Sequence, residues 1–88
     1  MTNYEHAGEM QEQCFKISQA FKVLEEKGLH DFYYATSQGY ADLRNSYSVD
    51  EAMQPANDDQ LKTLESTIAY VKEVQQQAAA KLDQEATA

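Results

Sequence analysis

Apolar residues recur along the first part of the chain at Tyr4, Ala7, Met10, Cys14, Ile17, Phe21 and Leu24, spaced 3, 3, 4, 3, 4 and 3 apart. A helix of about 3.6 residues per turn gathers all of these on one face, so the pattern predicts an amphipathic helix over about residues 3–27. Phe15, Ala20 and Val23 widen that face. Asn3 or Thr2 is placed to cap its start, and Glu5 with Glu9 early and Lys22 with Lys27 late complement the helix dipole. Gly28 then reads as the left-handed residue that ends the helix.

The next segment, about 29–47, carries Tyr33, Tyr40, Leu43 and Tyr47 at helical spacing, with Leu29, Phe32 and Thr36 on an adjoining row. Phe32-Tyr33-Tyr34 is β-prone, but a strand would send these rings to both faces, so helix is the better reading. Gly39 is a point at which this helix could divide. Ser48-Val49-Asp50-Glu51 matches a capping box and predicts a short helical turn at 49–53, after which Pro55 forces a break. Asn57 to Gln60 is a second capping signature. Beyond it Leu61, Leu64, Ile68, Val71, Gln75, Ala78 and Leu82 alternate spacings of 3 and 4 over a helix at about 57–84, with Val74 partly covering for Gln75.

Short connections favour antiparallel neighbours, so the expected fold is all-α: an antiparallel, up-down-up three-helix bundle with the short turn near 49–53. Residues 1–84 form the expected single domain and 85–88 an expected frayed tail. A chain of 88 residues has room for no more than one small domain, and its small core leaves a homodimer open.

Charge narrows the partners. Fifteen acidic residues against seven basic ones give a formal net charge of −8. Direct binding to nucleic acid and to anionic membrane surfaces is disfavoured, while a protein partner is expected. The single cysteine, Cys14, cannot form an intramolecular bridge, which suits a reducing, cytoplasmic setting. Neither a secretory leader nor a membrane-spanning run is legible.

Chemistry-bearing patterns are sparse. Glu5, Glu9 and Glu12 share a helix face and form a candidate acidic docking strip. No Glu-x-x-His pair of the kind that builds metal sites in bundles occurs, because neither His6 nor His30 has a glutamate three residues before it. Cys14 falls on the apolar seam, far from both histidines, and reads as a small core residue rather than a nucleophile. No catalytic set, phosphate loop or cofactor motif stands out, so neither enzymatic activity nor a cofactor is expected.

The tyrosines are the informative excess. Tyr33, Tyr34, Tyr40 and Tyr47 crowd into fifteen residues together with Arg44. One helix face cannot bury them all, and Tyr and Arg are enriched at protein interfaces. The expected function is therefore a non-enzymatic interaction module, occluding or scaffolding a protein partner through Tyr33, Tyr34, Tyr40, Arg44 and Tyr47. An acidic inhibitor that mimics nucleic acid, of a type some phages encode, is the alternative, with Glu5, Glu9 and Glu12 standing in for phosphates. The stretch LKTLESTIAYVKEV, Leu61 to Val74, also resembles small helical-hairpin chaperones of secretion systems. That resemblance covers fourteen residues without a diagnostic motif, and it implies a chaperone as a further alternative.

Overall fold

The computed structural model describes residues 1–87, and every regular element among them is helical: α1 (Asn3–Val23), α2 (Lys27–Ser46), α3 (Val49–Met53) and α4 (Asp58–Thr87). The expected all-α bundle with its short helical turn is present. The capping signals are used as the sequence implies. The Thr2 hydroxyl accepts from the Glu5 N–H while the Glu5 carboxylate accepts from the Thr2 N–H, and Ser48 with Glu51 repeats the arrangement. Asn57 and Gln60 close the same reciprocal pair ahead of α4, each bond 2.8 Å long.

The first turn differs from expectation. Helix α1 ends at Val23, four residues before the expected boundary, and Gly28 lies inside the first turn of α2. The left-handed residue is Glu25, at φ 60°. Its N–H donates to the Lys22 carbonyl at 3.1 Å, and the Glu26 N–H donates to the Phe21 carbonyl at 2.9 Å. These two bonds form a Schellman motif, which satisfies carbonyls at the helix end but leaves a side chain where glycine costs least. Gly39 does not divide α2, which runs unbroken from Lys27 to Ser46. The C-terminal tail expected to fray is helical through Thr87, and Ala88 lies outside the described residues.

Topology follows from the ends of α1. At its start, Thr2 bridges Pro55, and the Asn3 N–H donates to the Gln54 carbonyl at 2.8 Å. Buried His6 donates from Nε2 to the Gln60 carbonyl at 2.8 Å. At its other end, Lys81 Nζ donates to the Val23 carbonyl at 2.8 Å, satisfying a group that a helix terminus leaves unpaired. Helix α4 therefore runs parallel to α1, and α2 runs antiparallel between them in sequence. Helices α2 and α4 each pack against α1 but scarcely meet each other, so α1 is the shared element. The molecule is elongated, 54 × 21 × 15 Å.

The core lies along α1. One cluster joins Ile17, Ala20 and Phe21 to Val71, Val74 and Ala78, and a second joins Met10 and Cys14 to Leu64. Val74, which the seam treated as a partial substitute for Gln75, is the most buried residue of α4 at 1% exposure. Phe15, expected to widen the buried face, is 44% exposed.

Candidate functional site

Because α2 and α4 diverge from a common floor, a groove opens between them. Its floor is Met10, Cys14 and Ile17 of α1. Tyr33, Thr36 and Tyr40 form the α2 wall, and Lys62, Thr63, Ser66, Thr67 and Tyr70 the α4 wall, around about 480 Å3. Toward the start of α1, His6, Tyr40, Leu43, Asp59, Gln60 and Thr63 continue it. At the other end aromatic rings close it. Tyr33 stacks on Phe21 at 5.8 Å between centroids, meets Tyr70 at 6.0 Å and takes Phe32 edge-on at 5.2 Å.

The walls are less polar than their composition. The hydroxyls of Thr36, Thr63 and Thr67 donate back to the carbonyls of Phe32, Asp59 and Thr63, at 2.9, 2.9 and 2.7 Å. Their donor hydrogens are thus spent inside their own helices, which leaves the tyrosine hydroxyls, Ser66 and Lys62 as the donors that line the groove. Burial raises the Tyr33 and Tyr40 phenols above the ordinary tyrosine value, and it raises the Cys14 thiol as well. The Cys14 sulfur is therefore protonated at neutral pH and poorly nucleophilic.

The five residues expected to form one docking surface do not sit together. Tyr33 and Tyr40 line the groove. Tyr34, 45% exposed, is directed elsewhere: its ring lies 6.0 Å from His30 and 6.4 Å from Phe15. Arg44 belongs to the α1–α2 contact, with its guanidinium 5.6 Å from the Tyr4 ring and its side chain against Gly8. Its Nε is buried without a hydrogen-bond partner, and it makes no carboxylate pair among the described residues. Tyr47 is the half-buried C-cap residue of α2, two turns beyond Tyr40.

The acidic strip is also partly committed. Glu5 is held in the α1 capping box, where hydrogen bonds from the Thr2 backbone and hydroxyl lower its carboxyl below the ordinary range. Glu12 lies 3.7 Å from Lys16, and Glu9 is half-buried. Two of the three carboxylates that a nucleic-acid mimic would present thus have partners within α1 or its cap.

Sequence reasoning missed the α4 wall. Thr63, Ser66 and Tyr70 are spaced 3 and 4 apart, a second helical row beside the Leu64–Val71 seam, and that row was the available signal. No metal-binding cluster of His, Cys, Asp or Glu occurs among the described residues, and no helix among them is long and apolar enough to cross a membrane. No protein-family model matches the chain, and no curated protein or solved structure matches it either.

Proposed function

We propose that this protein is a non-enzymatic interaction module that holds a segment of a protein partner in the groove between α2 and α4. The observation that carries this reading is the groove itself: two helices share one floor without closing over it, and Tyr33, Tyr40 and Tyr70 remain along the opening. Tyrosines offer large contact area with few rotors and a polar tip, which suits anchoring a partner. Phe32 extends the same surface at 62% exposure. On this reading Tyr33 and Tyr40 are the contact residues among the five first considered, Tyr47 lies at the edge, and Tyr34 and Arg44 serve the contact with α1.

The test is affinity capture with the immobilised protein, comparing wild type with Ser66→Trp and Tyr34→Ala. Ser66 is an exposed groove residue, so a large ring there fills the groove without entering the core. The expected result is loss of the captured partner with Ser66→Trp and retention with Tyr34→Ala. Loss with Tyr34→Ala alone would move the docking surface to the Phe15–Tyr34 side.

A further inference from the structure

We infer that the occupant of the groove is an amphipathic helix of a basic protein partner, lying along α1 as a fourth helix of the bundle. The inference rests on the docking reading above and adds the chemistry of the partner.

Shape supplies the first argument. The groove and its continuation follow α1 from His6 to Ile17, eleven residues or about 16 Å, which is three helical turns. Both walls are helices whose backbone groups bond internally, so the groove offers no sheet edge to an extended strand. Between Lys62 and Tyr70, the middle of the α4 wall is Thr63, Ser66 and Thr67, small enough to let another helix axis come close. Facing it, Tyr33, Tyr40 and the exposed Phe32 supply the ridges that an apolar helix face packs between.

Charge supplies the second. Asp59 and Glu73 each stand seven residues from Ser66 and so share its stripe of α4, flanking the groove wall at both ends. Neither is in an ion pair among the described residues. Lys62 is the one cation on this wall. With a net charge of −8, a second copy of this chain or an acidic helix would meet like charge, whereas a basic helix would be steered in.

The test uses two designed peptides of about four helical turns with leucine on one face, one bearing lysine and the other glutamate on the opposite face. Each is titrated into the full chain by NMR. The lysine peptide should shift the resonances of Tyr33, Tyr40, Ser66 and Tyr70 and slow labelling of Cys14 by a thiol reagent. The glutamate peptide should bind at least tenfold more weakly. Asp59→Lys together with Glu73→Lys should weaken the lysine peptide several-fold, and Lys62→Glu should tighten it. Ser66→Trp should abolish binding with unchanged helicity; should that variant unfold, Cys14 protection in the wild type decides. Equal binding of both peptides, shifts confined to the Phe15–Tyr34 side, or no binding at millimolar peptide would overturn the inference. So would a groove already filled by a second copy, seen as a dimer that the peptide must displace. A basic peptide that fails while Ser66→Trp still abolishes partner capture would remove the basic helix and leave the docking groove standing.

Discussion

Helices α2 and α4 pack on the same α1 in opposite ways. Helix α4 contributes Leu64, Val71, Val74 and Ala78 to the core, whereas the only buried residue of α2 is Ser37. Yet α2 brings more of its backbone close to α1 than α4 does. The small residues explain the contrast. Ser37 donates to the Gln11 carbonyl across the contact at 3.0 Å, and Gly8 leaves room for Arg44. Helix α4 is thus held mainly by buried aliphatic side chains, and α2 by a close approach at small residues together with the half-buried rings of Tyr33 and Tyr40. These two rings lie against the edge of the core and line the groove with their other side.

The largest test of this contrast is Ile17→Ala. Ile17 is fully buried in the α1–α4 cluster, so truncation should cost about 3 kcal/mol and lower Tm by roughly 15 °C. Urea unfolding gives the free energy directly, and a loss under about 1 kcal/mol would mean that the aliphatic seam is not what holds α4. Next comes Ser37→Leu, which forces bulk between the closest backbones and should cost about 2 kcal/mol. A silent Ser37→Leu would erase the distinction between the two contacts.

Smaller effects sharpen it at the ends of the helices. Glu25→Gly should raise stability by about 1 kcal/mol, because glycine takes the left-handed φ without penalty. The Lys81–Glu25 pair lost by that change is 3.6 Å long and exposed on the glutamate side, so it offsets little. Acid should act on the capping boxes that start α1 and α3. Hydrogen bonds from Thr2 lower the Glu5 carboxyl, and bonds from the Ser48 hydroxyl and backbone lower Glu51. A lowered folded-state pKa means that the unfolded chain binds protons first, so this stabilisation is present above the ordinary carboxylate range, about pH 4, and is lost as pH falls through the lowered values. The fall in Tm below that range should be shallower in a Glu5→Gln, Glu51→Gln double variant. Helix α2 makes no side-chain hydrogen bond at its N-cap, but hydrogen bonds with Lys27 and His30 lower the Asp31 carboxyl in its early turns, so acid weakens that end in the same direction.

Much of this architecture is legible in the residue pattern, for identifiable reasons. The central parts of the α1 and α4 seams and the Ser48–Glu51 and Asn57–Gln60 capping pairs are local signals that the structure uses, while Tyr4, Leu61 and Leu82 at the seam ends stay exposed. The left-handed turn at Glu25 was hidden because a glycine three residues later offered the cheaper position, and the chain placed α2 across it. The candidate site was harder to read. Tyr33 and Tyr34 are adjacent and alike in sequence, yet 100° of helix rotation sends one into the groove and the other toward Phe15. Arg44 looks like an interface residue by type, but its alkyl stem and guanidinium pack on Gly8 and Tyr4. The groove belongs to no single helix. It depends on how far α2 and α4 splay from α1, which no one-helix periodicity encodes.

The parallel pairing of α1 with α4 also sets an order of assembly. The hydrogen bond joining α1 to α2 spans 26 residues, while those joining α1 to α4 span 54, 57 and 58. Local contacts close before distant ones, so the α1–α2 hairpin is expected to form by the rate-limiting barrier and α4 to dock after it. In stopped-flow chevrons, Ser37→Leu should then slow refolding, whereas Val74→Ala should leave refolding nearly unchanged and hasten unfolding. In every folding event, the surface destined to become the groove floor would stand open to solvent until the last helix arrives.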